Sequence, residues 1–170
     1  MPFPPRASPY RERDPEEMMA TPLDGLPLFQ NLTPAERRVL AEIGERRMVP
    51  AGTVLFQEGA PGDALYVIMS GEVRVIRVVP GTGEEVLALL SPGSTCGEMA
   101  LIDEYPRSAT AVTDGPATLL VISKAAFATL LHERPAMAAK ILRALCRSLS
   151  DRLRETNDKI GTLFKMARNF

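Results

Sequence analysis

The middle of the chain consists of short β-branched runs separated by glycine or proline turns, and this alternation limits the fold more than any other feature. Between Gly52 and Ser123 the runs are TVLF, ALYVIM, EVRVIRVV, EVLALL, ATAV and ATLLVI, separated by turns such as GAPGD, PGTG, SPG and DGP. Turns at such close spacing indicate antiparallel pairing instead of a parallel sheet with helical crossovers. The pattern predicts a mainly β domain, an antiparallel β-roll or jelly roll.

Helical patterns flank this region on both sides. Thr33 before Pro34, with Glu36 three residues after the threonine, predicts an N-cap and a helix that starts at Pro34. A short helix is expected over residues 124–133, and Pro135 opens a long helix. We therefore divide the chain into a disordered proline-rich tail (1–20), the β-roll with its flanking helices (21–134) and a long C-terminal helix (135–170).

Composition excludes several classes of function. The net charge of −1 gives no basic field for nucleic acid or anionic membranes, and no run approaches the length of a membrane span, so a cytoplasmic protein is expected. Cys96 and Cys146, in predicted loop and helix segments, are expected to be reduced thiols. With His132 as the single histidine, neither a metal site nor a catalytic triad is expected, so we predict that the chain is not an enzyme.

The long helix carries an apolar stripe that alternates four-residue and three-residue steps. This spacing is typical of a coiled coil and predicts a parallel homodimer whose seam contains Leu142, Cys146, Leu149, Leu153, Thr156, Ile160 and Leu163. Ile141 and Leu145 lie beside the stripe and are expected to face the β-roll. The alternative is an amphipathic helix that packs only on its own domain.

The segment GEMALIDEYPRSATA, residues 97–111, places one acid and one arginine inside an otherwise apolar region. Gly97 allows an unusual backbone conformation before a single helical turn whose N–H groups attract an anion. Arg107, expected on the neighbouring strand, can grip two oxygens of one phosphate, and Glu98 can accept hydrogen bonds from sugar hydroxyls. Together, the helical turn after Gly97, Arg107 and Glu98 suit a ligand with a singly charged phosphodiester. The alternative is an internal salt bridge between Glu98 and Arg107.

The same segment resembles the phosphate-binding cassette of the cyclic nucleotide-binding domain family, as found in the sensor domains of bacterial catabolite activators. PAGTVLFQEGAPGDALYVIMSGEVRV resembles the first half of that family's β-roll. The resemblance implies that the long helix closes over the base as a lid and also forms the dimer. The implied ligand-binding residues are Gly97, Glu98 on the ribose 2′-hydroxyl, Met99 and Ala100 near the phosphate, Arg107 on the exocyclic oxygens, Ser108 as a second contact, and Thr156 and Asn157 on the base.

The implied ligand is cAMP or cGMP, and Ser108 does not decide between them. Two alternatives stay open: the ligand is cyclic di-GMP, or the chain is a dimeric interaction module of the same fold that binds no ligand. Because the sequence ends at Phe170 without a helix-turn-helix pattern, we expect a stand-alone sensor that signals to a protein partner and not through nucleic acid or a membrane. Arg143, Arg147, Arg152 and Arg154 are interrupted by acids and are interpreted as a solvated helix face.

Overall fold

The computed structural model describes residues 21–168. A short 3-10 helix at Pro27–Phe29 precedes helix α1, Pro34–Ile43. The Thr33 hydroxyl accepts a hydrogen bond from the Glu36 N–H at 3.2 Å, and the Glu36 carboxylate accepts one from the Thr33 N–H at 2.7 Å. The capping box therefore starts the helix at Pro34, which confirms the prediction.

Eight strands form two four-stranded sheets in which every pair is antiparallel. The order is β1-β8-β3-β6 in one sheet and β2-β7-β4-β5 in the other. This is the predicted jelly roll. The strands are β1 (Glu45–Val49), β2 (Val54–Phe56), β3 (Ala64–Ser70), β4 (Val73–Val79), β5 (Gly83–Leu90), β6 (Thr95–Cys96), β7 (Thr110–Thr113) and β8 (Ala117–Ser123).

Strands β1 and β6 were not predicted. The sequence of β1, ERRMV, has no apolar alternation because it is an edge strand with four of its five residues exposed. Strand β6 is two residues long, too short to leave a pattern. The assignment of Cys96 to a loop was therefore wrong: Cys96 is buried in β6 and pairs with Tyr66 of β3.

Strands β3 and β8 read as continuous apolar runs because both of their faces are buried. Leu65 and Val67 point from β3 into a core formed with the helices, whereas Ile68 points into the core between the sheets. In β8, Ile122 points into the core formed with the helices, and Leu119 points into the core between the sheets. The sheet that contains β3 and β8 is thus the middle layer of the molecule, and the helices cover its outer face.

Helix α2, Lys124–Glu133, and helix α3, Pro135–Ala167, follow β8. Ile141 and Leu145 are fully buried against the β-roll side of α3, as predicted. Each such side chain contributes about 1.5–3 kcal/mol on burial. The later part of α3 has no such cover within residues 21–168, and apolar side chains there are exposed: Leu153, Ile160, Leu163, Phe164 and Met166.

The predicted disordered tail, residues 1–20, and the last two residues of the predicted helix 135–170 lie outside the described residues. Within the described part of the chain, no helix combines the length and the hydrophobicity that crossing a membrane requires.

Candidate functional site

The backbone at the start of the cassette segment has the unusual conformation predicted for it. Gly97 has φ of 75° and directly follows β6, and a single 3-10 turn comes next at Glu98–Leu101. A Cβ atom on Gly97 would meet the Arg107 guanidinium and would lie 2.9 Å from the Ala64 carbonyl oxygen. Glycine is required here both for its positive φ and for this close approach.

Arg107 is buried and its guanidinium is held from several sides. Nη1 donates a hydrogen bond to the Gly97 carbonyl at 3.0 Å, and Nη2 donates to the Ala64 carbonyl at 2.8 Å and to the Asp63 carboxylate at 3.1 Å. The guanidinium carbon also lies 4.2 Å from the centre of the Phe56 ring, a cation–π contact. The prediction that Arg107 lies on a strand was wrong, because the residue precedes β7 in a loop.

Glu98 is only 3% exposed, and its partner comes from α3. Oε1 accepts a hydrogen bond from Arg152 Nη1 at 2.7 Å, and Arg152 Nη2 donates to the Thr95 carbonyl. The alternative of a Glu98–Arg107 salt bridge was therefore wrong, since each residue has a different ionic partner. The interpretation of Arg152 as a solvated residue was also wrong: it joins the long helix to the cassette.

Each of the two central side chains retains one buried polar atom without a partner in residues 21–168. These atoms are Oε2 of Glu98 and Nε of Arg107. An unpaired buried polar atom costs about 1–3 kcal/mol, so both atoms are suited to a ligand that supplies the missing hydrogen bonds. The acceptor oxygen fits a hydroxyl donor, and the N–H fits an anionic acceptor.

Both side chains line one cavity of about 360 Å³ between the cassette, the β-roll and α3. The cavity is within the size range of small-molecule sites, roughly 300–1,000 Å³. Asn157 is exposed and is not part of its lining, because successive helical residues point about 100° apart and Thr156 takes the inward direction. The predicted ligand residues that line the cavity are Gly97, Glu98, Met99, Ala100, Arg107, Ser108 and Thr156.

Three residues of the predicted dimer seam, Leu149, Leu153 and Thr156, also line this cavity. Leu149 and Leu153 form part of its wall on α3, together with Arg152 and Thr156. Ile160 and Leu163 lie further along the helix, outside the cavity lining, and are exposed. The helix face at Leu149 and Leu153 therefore belongs to the site as well as to the predicted seam.

Sequence reasoning missed several contributors to the site, among them Phe56, Asp63, Tyr105 and Arg152. Phe56 and Asp63 act on Arg107, and Tyr105, which is 76% exposed, lies at the cavity wall. The strand ending in Phe56 and the turn GAPGD were both identified, but nothing local connects them with a residue more than 40 positions later. Arg152 has no local signal, since it stands among other exposed charges.

Burial raises the pKa of the Cys96 thiol to about 12, with a further contribution from nearby Glu98. The thiol is therefore neutral at neutral pH and acts as a small apolar wall residue of the cavity. Cys96 and Cys146 are free thiols. Among the described residues, no group of three or more histidine, cysteine or acidic side chains is placed to hold a metal ion.

The fold and the cassette geometry define a class of ligand-binding domain, and residues 46–134 match the model of the family described as cyclic nucleotide-binding domain. The chain belongs to this family. The cyclic AMP receptor protein of Thermus thermophilus is 38% identical over 148 residues, which are 86% of this chain and 67% of that protein.

Solved structures show the same fold. A cyclic nucleotide-binding domain from Methylobacillus flagellatus superimposes with a TM-score of 0.74 at 35% identity, covering 82% of this chain and 78% of that one. The c-di-GMP-responsive global regulator CLP of Xanthomonas campestris superimposes with a TM-score of 0.70 at 29% identity, covering 77% of this chain and 64% of that one. The chain thus spans about two-thirds of the length of these two regulators from Thermus and Xanthomonas.

Proposed function

We propose that this chain is a non-catalytic sensor that binds cAMP or cGMP in the cavity between the cassette and α3. One observation carries the proposal: Glu98 and Arg107, each with one buried polar atom that lacks a partner within residues 21–168, line the same cavity. A ribose hydroxyl is the donor that Glu98 lacks, and a cyclic phosphate oxygen is the acceptor that Arg107 lacks. A cyclic mononucleotide presents both groups side by side.

Each wall of the cavity has a role in this proposal. Arg107 is held by two backbone carbonyls, so its charge is already oriented before the phosphate arrives. The Ala100 N–H already bonds to the Gly97 carbonyl at 3.2 Å, so the phosphate is left to the N–H groups that precede it. The base contacts the apolar side chains of Val75, Leu149 and Leu153, with the hydroxyls of Ser108 and Thr156 as polar contacts.

Calorimetric titration with cAMP, cGMP and cyclic di-GMP tests the proposal. We expect micromolar or tighter binding of a cyclic mononucleotide, weakened about 10-fold or more by Glu98→Gln, because the amide cannot act as a charged acceptor for the ribose hydroxyl. Glu85→Gln is the matched control, since Glu85 is exposed on β5. No binding of any of the three compounds would instead support a ligand-free interaction module.

Cyclic di-GMP is the second candidate, because the Xanthomonas structure belongs to a regulator described as responsive to that compound. The cavity volume of about 360 Å³ is near the lower limit for small-molecule sites and favours a mononucleotide. Tight binding of cyclic di-GMP alone in the titration would reverse this preference.

We further propose that the signal passes through α3 to a homodimer and from there to a protein partner. Arg152 connects Glu98 to the helix, and the exposed apolar residues of α3 follow within a few turns. A ligand that contacts Glu98 changes the environment of Arg152 and so the position of this half of the helix. Cytoplasmic location and independence from nucleic acid stay predictions from charge and sequence pattern.

The dimer is tested with substitutions outside the cavity. Ile160→Glu combined with Leu163→Glu is expected to yield a folded monomer, because two charges at a seam cannot be buried without partners. Sedimentation velocity measures the mass, and Thr162→Glu, on another face of the same helix, serves as the control. A dimer that persists in the double variant contradicts the proposed seam. Leu149 and Leu153 are unsuitable here because they also line the ligand cavity.

A further inference from the structure

A second cleft, of about 470 Å³, lies between α3, the segment around Pro27–Asn31 and the end of β5. Arg152 lines both this cleft and the nucleotide cavity, so the two share a wall. None of the cassette residues lines the second cleft. Apart from Arg152, its lining residues have no part in the proposed function.

Two arginines that line this cleft have no ion-pair partner in the described part of the chain. Arg143 and Arg147 line it, both are exposed, and neither takes part in any ion pair within residues 21–168. Lys140, nearby on the same helix, is already paired with Glu36 at 2.8 Å. Among the described residues, the unpaired cations of this part of the helix are therefore the two arginines.

The two arginines are one helical turn apart, about 6 Å along the axis. Like charges at this spacing repel each other and destabilise a helix by about 0.2–0.5 kcal/mol. Two adjacent phosphates would turn this repulsion into attraction, because each guanidinium forms a fork that matches phosphate oxygens.

The other walls of the cleft suit the rest of an organic molecule. Pro27, Leu28 and Leu89 provide apolar surface, and Leu89 is 52% exposed although it faces the cleft. Glu155 lines the cleft about two turns beyond Arg147 and can accept hydrogen bonds from hydroxyl or amino groups. Asp151 is less available because Arg154 pairs with it at 2.8 Å.

We propose that this cleft binds a nucleoside diphosphate. The diphosphate lies on Arg143 and Arg147, the base packs on the apolar wall around Leu28 and Leu89, and the ribose hydroxyls donate toward Glu155. Inorganic diphosphate shares the anionic part of this chemistry but lacks the groups that reach the other walls.

The test is calorimetric titration of the full chain with ADP, GDP and inorganic pyrophosphate. We expect at least one nucleoside diphosphate to bind more tightly than pyrophosphate, and Arg143→Ala combined with Arg147→Ala to weaken that binding about 10-fold or more. The matched control is Arg46→Ala combined with Arg134→Ala, which removes the same charge from exposed positions outside the cleft. Thermal unfolding of both double variants checks that they fold.

Three results overturn the proposal: no binding of either nucleoside diphosphate at millimolar concentration, binding equal in the two double variants, or pyrophosphate binding as tightly as the nucleotides. Equal binding in the two variants would place the ligand outside this cleft. These outcomes are separate from those for the cassette cavity, because Arg143 and Arg147 do not line it.

Discussion

Arg107→Ala is expected to lower the affinity for the cyclic nucleotide about 10-fold to 150-fold and to destabilise the fold at the same time. The affinity falls because the phosphate loses a charge that is already oriented. Stability falls because the buried Ala64 carbonyl loses its Nη2 donor, which costs about 1–3 kcal/mol, whereas the Gly97 carbonyl keeps the Ala100 N–H as a donor. Calorimetric titration and urea unfolding measure the two effects separately.

Two further variants distinguish the roles of Arg107. Arg107→Lys retains the charge but not the planar fork, so it is expected to bind more tightly than Arg107→Ala and more weakly than the unsubstituted chain. Arg77→Ala removes an exposed arginine paired with Glu58, and such a surface pair contributes at most about 1 kcal/mol. Unchanged nucleotide affinity in Arg107→Ala would show that Arg107 is only a structural residue.

Gly97→Ala is expected to have the second largest effect, on ligand binding and on stability together. An alanine at φ of 75° costs about 1–2 kcal/mol, and its Cβ would also displace the Arg107 guanidinium. Because Arg107 must move, we expect nucleotide affinity to fall about 10-fold or more.

Gly81→Ala is the matched control for this substitution. Gly81 has φ of 88°, but a Cβ there meets no atom within 4 Å. Gly81→Ala should therefore lower the stability by the backbone cost alone and leave the nucleotide affinity unchanged. If Gly97→Ala and Gly81→Ala behave alike in both measurements, the close approach between Gly97 and Arg107 has no functional importance.

The accuracy of the sequence-based predictions depended on whether a feature is local. The capping box at Thr33 and Glu36 was predicted correctly because its three-residue spacing is itself the interaction. Strand β1 was missed because ERRMV is an exposed edge strand that pairs with β8, about 70 residues later in the chain. Its conformation depends on that pairing and not on its own residues.

The candidate site also combines residues that are close in the sequence with partners that are distant in it. Gly97, Glu98 and Arg107 lie within eleven residues, and their types alone indicate an anion and a sugar. The ionic partner of Glu98 is 54 residues away, and that of Arg107 is 44 residues away. The alternative of a Glu98–Arg107 salt bridge arose because the local sequence does not indicate that Arg152 or Asp63 lies near these residues.

The sequence by itself determined the β-roll, the helix starts, the cassette and the long apolar stripe of α3, since each follows from spacings of a few residues or from steric requirements of one residue. Only the tertiary structure decided that Arg152 joins α3 to Glu98, that Leu149 and Leu153 line the cavity, and that Glu98 and Arg107 each keep one buried polar atom without a partner among residues 21–168. The physical reason is that burial and long-range pairing depend on how whole layers pack against each other. A short stretch of sequence does not specify which distant segments the packing brings into contact with it.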